Sequence, residues 1–353
     1  MAFVDHHVHF LATAAARLSV DLTTARRMAD LVEALAAAGG AGWLRGWGYD
    51  EWLLAERRHP TRADLDLAGS RRPLVVHHRT GHAAVLNSLA LREIGAPDHP
   101  DGVLFDRQDL LGRVPRLAPA DLAGAARSVS RDWTAAGIGA FVDATHTNGP
   151  AELELLAGWC REGVVVQDVT AMVAPAQAPR FAGYGTRVGP VRVGPVKIMP
   201  AGPGPALRRQ VEAAHGLGYP VAVHVMDIDV LDATLDALEA SPPPAGTRDR
   251  IEHHSLSLPE QIPRVAATGA VVVVNPSFLL HRRRKYEQQL SAVERGWLVR
   301  IRSLLDAGIT VRAGSDSPVT PAVPAEMMAA ATGHPFSPEE SVDEETAAAL
   351  LRP

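Results

Sequence analysis

Short apolar, β-branched runs recur along this chain, separated by Ala/Leu/Arg-rich stretches of helical length and amphipathic spacing. No other feature narrows the fold as much. Strands separated by helices cannot join through a tight turn, so each connection must cross over and lay the next strand parallel to the last. The runs occupy residues 3–10, 138–145, 164–173, 191–199, 220–226, 250–254, 270–275 and 309–315. Eight of them predict an α/β chain folded as a closed (β/α)₈, TIM-like barrel. A length of 353 residues suits one such domain, spanning 1–353.

The spacing is regular from Ile138 onward and irregular before it. The stretch between the first run and Ile138 is far too long for a single βα connection and carries apolar pieces of its own at 42–48, 73–78 and 87–91. It is expected to form an inserted cap subdomain, roughly 18–122, interrupting the first βα unit. Residues 176–195, rich in Pro and Gly, are expected to form a long loop leading to the fourth strand. The basic, polar segment 281–295 is expected to be a surface loop or a lid helix.

Bulk properties exclude several partners. A net charge of -5 gives no electrostatic case for nucleic acid or an anionic membrane surface. No window reaches roughly 18 uninterrupted apolar residues, so no membrane span is expected. The single cysteine, Cys160, excludes an intrachain disulfide framework and fits a reducing cytoplasm. The start, Met-Ala-Phe-Val-Asp-His-His, lacks the basic and apolar regions of a signal peptide.

The chemistry sits at the ends of the runs. In Asp5-His6-His7-Val8-His9, the two-residue period of a strand points His7 and His9 to one face, where both imidazoles can reach one metal ion. Lys197, in Val196-Lys197-Ile198-Met199, is one of only two lysines in the chain. An amine in an apolar strand must be neutral, paired, modified or snorkelled to solvent. A neutral lysine can react with carbon dioxide to give a carbamate, an anionic ligand able to bridge two metals. His224 lies within the apolar run Val221-Ala222-Val223-His224, and His253 ends Arg250-Ile251-Glu252-His253. Asp316 follows Ala313-Gly314-Ser315 into a turn. Singly, each histidine reads as a hydrogen-bonded core residue and Asp316 as a turn or capping residue. Together these residues mark the C-terminal ends of the first, fourth, fifth, sixth and eighth runs, the face where barrel active sites assemble. That coincidence favours a divalent metal site, and imidazole with carboxylate donors suits zinc as well as manganese, iron or cobalt.

This ordered set resembles that of the amidohydrolase superfamily, and specifically amidohydrolase family 3. The likeness extends to Trp43 with Gly46-Trp47-Gly48-Tyr49-Asp50-Glu51, Pro60-Thr61-Arg62, Gly81-His82 with Asn87-Ser88, Arg250-Ile251-Glu252-His253, and Leu304-Leu305-Asp306-Ala307-Gly308 leading to Gly314-Ser315-Asp316. The resemblance implies metal-dependent hydrolysis of a C–N bond, of amide, N-acyl or N-formyl type, in a small molecule. It implies one ion held by His7, His9, N6-carboxylated Lys197 and Asp316, and a second by Lys197, His224 and His253. Asp316 would also carry the proton. His82, His146, Asn275 and Arg282 are further candidates for the substrate pocket.

Three departures accompany the likeness. Family members usually carry a small β-sandwich flanking the barrel, expected to be absent here; its absence would leave apolar barrel surface for a partner or a second copy. Ala201-Gly202 runs almost directly toward a helix beginning near Ala206, and Asp227-Ile228 replaces the usual Gly-Asp pair after His224. A mononuclear deaminase of the same superfamily is the competing reading. It normally needs a glutamate just beyond the fifth-strand histidine and no fourth-strand lysine, whereas here Val225-Met226-Asp227 follows and Lys197 is present. A barrel that has lost activity and serves as a binding protein would be expected to have lost ligands, and all six candidates remain.

Overall fold

The computed structural model describes residues 2–68 and 71–353; among these, 2–9 with 130–353 form one compact unit and those within 10–129 form another. In chain order the strands are β1 (Phe3–Val8), β2 (Val20–Asp21), β3 (Leu44–Tyr49), β4 (Leu74–His78), β5 (Ala83–Leu86), β6 (Val103–Phe105) and β7 (Ile138–Asp143). There follow β8 (Asp168–Val173), β9 (Arg187–Val188), β10 (Val191–Ile198), β11 (Val221–Val225), β12 (Arg250–His253), β13 (Val271–Val274) and β14 (Val311–Ala313).

The first unit is a nearly closed barrel of eight parallel strands in the order β1-β7-β8-β10-β11-β12-β13-β14. The expected fold is the observed one. Strands such as Val-Ala-Val-His-Val and Val-Val-Val-Val are nearly continuous apolar runs because helices cover the outside while side chains fill the inside. Local signals set the helix starts. Asp227 accepts a hydrogen bond from Val230 N–H at 2.8 Å and caps Ile228–Ala240, which gives this family-atypical residue a structural task. Pro205 opens Pro205–Gly216, one residue ahead of the expected start.

Closure comes at a seam between β1 and β14. Asp316 N–H donates to the His7 carbonyl at 2.7 Å, and His9 N–H donates to the Ser317 carbonyl at 2.7 Å. Farther down the seam, the end of the chain supplies acceptors: Val4 N–H donates to Leu351 O at 2.7 Å and Ala313 N–H to Leu350 O at 2.9 Å. Gly314 permits the approach, since a Cβ there would stand 2.5 Å from the backbone nitrogen of His7.

One loop expectation needs correction, and of the two alternatives for 281–295 the helical one is observed. Residues 176–195 are not one long loop: they contain most of a 3₁₀ helix, Pro175–Arg180, and the antiparallel pair β9–β10, with Val188 opposite Val191. The segment 281–295 is helical, with Arg283–Gln289 and Ala292–Arg295 after Phe278–His281; Ser291 caps the last by accepting from Glu294 N–H at 3.2 Å. No helix among the described residues is long and apolar enough to cross a membrane.

The second unit is built on a five-stranded sheet, β2-β3-β4-β5-β6, parallel through β4 and antiparallel thereafter. Alternation along β4 sends Val76 into a core with Leu22, Leu35 and Leu65, and Val75 into another with Leu86, Leu91 and Leu104. Family-like motifs here are structural pins. Thr61 and Asp64 form a capping box, while Asn87 accepts from Leu74 N–H at 3.0 Å and Ala90 N–H at 2.8 Å.

Gly314→Ala is expected to lower stability by about 1–3 kcal/mol through forced overlap with His7. Denaturant unfolding measures this, and an unchanged midpoint would refute the close-approach account.

Candidate metal centre

His7 and His9 lie on one face of β1, as the strand period requires, and Asp316 meets them across the seam. The Asp316 carboxylate Oδ1 stands 3.0 Å from His9 Nε2 and 3.5 Å from His7 Nε2. One donor atom from each of the three lies within 4.8 Å of the others. Closure of the barrel therefore assembles a ligand corner from the two ends of the strand order.

The histidines are anchored from behind. His7 Nδ1–H donates to Glu252 Oε2 at 2.5 Å, His253 Nδ1–H donates to Asn275 Oδ1 at 2.7 Å, and His9 Nδ1 lies 3.1 Å from Thr145 Oγ1. A proton on Nδ1 leaves the Nε2 lone pair available to a metal, the tautomer a ligating histidine needs. Burial, reinforced by the cations of Lys197 and neighbouring histidines, holds His7 and His253 well below the usual imidazole pKa. Both are therefore neutral around pH 7.

Lys197 is buried at the end of β10, and its Nζ has no hydrogen-bond partner. Loss of solvation lowers its pKa to about 8, against the opposing pull of Glu252 and Asp316. The Glu252 carboxylate accepts from Arg250 Nε at 2.6 Å. Burial alone would raise Glu252, but Arg250 and Lys197 outweigh it and hold the group below the usual carboxylate range. Asp5 lies beneath the corner, accepting from Ser315 N–H at 2.9 Å and His7 N–H at 3.2 Å; burial raises its pKa to about 6.

The remaining sequence candidates divide. The rings of His224 and His253 lie 4.4 Å apart, and those of His253 and His7 4.5 Å, so His224 joins the cluster through His253. Asn275 is spent on positioning: its Oδ1 takes the His253 proton and its Nδ2 donates to Gly314 O at 2.7 Å. Arg282 lies over the Phe278 ring, 3.8 Å from its centroid, and Phe278 stacks on His253 at 6.1 Å. His146 is half-buried in the segment after β7. His82 belongs to the other unit, where its Nδ1 lies 3.0 Å from Asp106 Oδ1.

Glu252, Thr145 and Asp5 were missed as functional positions. Glu252 had a legible signal, an acidic residue between apolar Ile251 and His253 with arginine two positions before it. Thr145 had none, because only the β1–β7 pairing brings it to His9.

The donor set fits a divalent metal. His7 Nε2, Lys197 Nζ and Asp316 Oδ1 are buried without hydrogen-bond partners, a costly arrangement for apolar surroundings and an ordinary one for groups that share an ion. A profile described as the amidohydrolase family matches residues 2–353. The chain belongs to that family. An N-substituted formamide deformylase of Arthrobacter pascens is 27% identical, with 96% of this chain and 75% of that protein covered. Among solved structures, an uncharacterized metal-dependent hydrolase of Pyrococcus furiosus aligns with TM-score 0.76 and 24% identity over 99% of this chain and 80% of its own. Another uncharacterized metal-dependent hydrolase, from Pyrococcus horikoshii, aligns with TM-score 0.78 and 23% identity over 98% and 78%. Both structures share the fold.

Removing the support behind a histidine should weaken metal binding without removing a donor. Asn275→Ala is expected to cost roughly 10–100-fold in metal affinity. Chelator competition on the folded variant measures this, and wild-type affinity would show that His253 needs no such partner.

Proposed function

We propose that this chain is a metal-dependent hydrolase that cleaves the C–N bond of a small amide, N-acyl or N-formyl amine. The observation that carries the reading is the buried, hydrogen-bond-free Lys197 amine beside histidines whose Nδ1 atoms are engaged. An amine with its pKa lowered to about 8 has a substantial neutral fraction near neutrality, able to attack carbon dioxide. A new N–C bond forms, one proton leaves, and the carbamate oxygens become ligands. His7, His9, Asp316 and carboxylated Lys197 would hold one ion; Lys197, His224 and His253 would hold a second. The name of the Arthrobacter pascens relative supports the choice of bond.

Bound divalent metal, zinc by donor chemistry, would lower the pKa of water and polarise the scissile carbonyl. The protein's own part is proton transfer and positioning. Asp316 accepts a proton from the attacking water and returns it to the departing amine, so that a C–O bond forms as the C–N bond breaks. The bond from Asp316 N–H to the His7 carbonyl at 2.7 Å holds the residue at the site. Glu252 and Asn275 hold His7 and His253 in the required tautomer. His146 and Arg282 remain candidates for substrate contacts in the barrel unit. The presence of Lys197 favours this reading over a deaminase, which has no use for a buried lysine here.

Purified protein is expected to contain about one to two zinc-like ions per chain. Elemental analysis, together with a screen of N-acyl and N-formyl amines after addition of metal and bicarbonate, tests the proposal. Absence of both metal and turnover would sink it. Lys197→Ala should lose metal occupancy while Lys285→Ala retains it, and equal behaviour would refute the carbamate role. Asp316→Asn should keep much of its metal yet lose turnover; full activity would remove Asp316 as the proton carrier.

A further inference from the structure

Beyond β13 the chain runs through consecutive cations, Arg282, Arg283, Arg284 and Lys285, in a protein whose net charge is -5. This connection leaves the C-terminal end of a barrel strand, the side on which barrel active sites assemble. A positive stretch there draws anions toward the site. Two of its groups are matched within the protein. Arg283 Nε donates to Glu287 Oε1 at 2.8 Å, and His281 Nε2 lies 2.7 Å from Glu326 Oε1. Arg282 is not matched: no carboxylate among the described residues pairs with it, and its Nε is buried without a hydrogen-bond partner.

Packing fixes Arg282 close to the candidate metal centre. Phe278 stacks on His253, with ring planes 13° apart and centroids 6.1 Å apart, and Arg282 Cζ lies 3.8 Å from the Phe278 centroid. A single aromatic ring thus links the guanidinium to a candidate ligand. Stacking engages the flat face of a guanidinium and leaves its in-plane N–H groups to other partners. Arg282 is half-buried, so a ligand can reach it.

Tyr286 stands one helical turn on, its N–H donating to the Arg282 carbonyl at 3.0 Å. Burial raises the pKa of its phenol, and the nearby Arg282 charge works against that rise. The hydroxyl is buried and has no hydrogen-bond partner. Arginine offers donors only, so it cannot take the phenolic proton. Two adjacent side chains therefore present donors and no acceptor. A carboxylate supplies the acceptors and the opposite charge, whereas an apolar substituent would leave the donors unmatched.

We propose that Arg282, positioned by Phe278 and Tyr286, binds a carboxylate of the substrate, so that the compound cleaved is an N-acyl or N-formyl amino acid. The inference rests on the C–N hydrolase reading given above and narrows its substrate class. In such compounds the carboxylate lies a few bonds from the scissile amide, which suits a guanidinium one ring away from His253.

The test uses the full chain as purified and a panel of N-formyl and N-acetyl amino acids of both hands, each beside its C-terminal carboxamide. Ligand-observed NMR is expected to find the carboxylates bound about 10–100-fold more tightly than the matching carboxamides. Arg282→Gln should remove that preference and Tyr286→Phe should reduce it. Arg284→Gln, which deletes an exposed cation of the same stretch, should leave it intact and so separates a subsite from a general effect of charge. Equal binding of both forms, binding of neither, or an undiminished preference in folded Arg282→Gln overturns the subsite. Should Arg282→Gln fail to fold, as judged by circular dichroism, Tyr286→Phe decides, and an unchanged preference in that variant overturns it. Turnover of the same panel separates the two readings. Hydrolysis of carboxamides and acids alike keeps the reaction and removes the subsite, while selective binding of carboxylates without hydrolysis keeps the subsite and counts against the reaction.

Discussion

The hydrogen bond from Asp316 N–H to the His7 carbonyl does two things at once. It joins the last barrel strand to the first, and it sets the Asp316 carboxylate against His7 and His9. A slip of one residue along this seam would turn the His7–His9 face away from the site, because side chains alternate along a strand. Closure and ligand geometry are therefore the same constraint. Gly314 is the residue that permits it, and the acceptors at Leu350 and Leu351 carry the seam on where β1 and β14 lack direct pairing.

Beneath the seam, ionisable groups are buried at a density that apolar packing alone cannot tolerate. Arg250 offsets Glu252, and Glu252 in turn fixes the His7 proton. Lys197 is left with distant charges and no hydrogen bond. A buried ammonium in that position is destabilising, and the carbamylation proposed above would turn the same side chain into an anionic ligand. Lys197 consequently carries more of the functional reading than any histidine, each of which has an ordinary structural explanation.

The barrel was legible because parallel strands buried on both faces leave nearly continuous apolar runs, and β10, β11 and β13 are written that way. The candidate ligands were legible because each interrupts or ends such a run. What could not be read was anything set by pairing between distant strands. Thr145 reaches His9 only through β1–β7 register, and Asn275 turned out to hold His253 in place. The segment at 176–195 misled for a different reason. Proline and glycine mark an absence of long regular structure, yet a 3₁₀ turn and a two-residue hairpin satisfy that signal.

Both units place polar side chains where parallel strands end, and the barrel unit shows what this costs locally. His253 and Asp316 have φ of 69° and 59°, in the left-handed region that non-glycine residues seldom occupy. A regular strand would send successive side chains to opposite faces, so a donor at its end can be re-aimed only by leaving the strand conformation. The neighbours make that departure tolerable. His253 is held by Asn275, which also ties to the Gly314 carbonyl, and Asp316 is held by the seam. In the inserted unit Gly48 takes the unusual backbone angle instead, leaving Asp50 and Glu51 to follow it. The strain lies with the candidate donors in one unit and with a glycine in the other. The barrel corner thus depends on the rigidity of a closed sheet, whereas the polar side chains after β3 depend on a local turn.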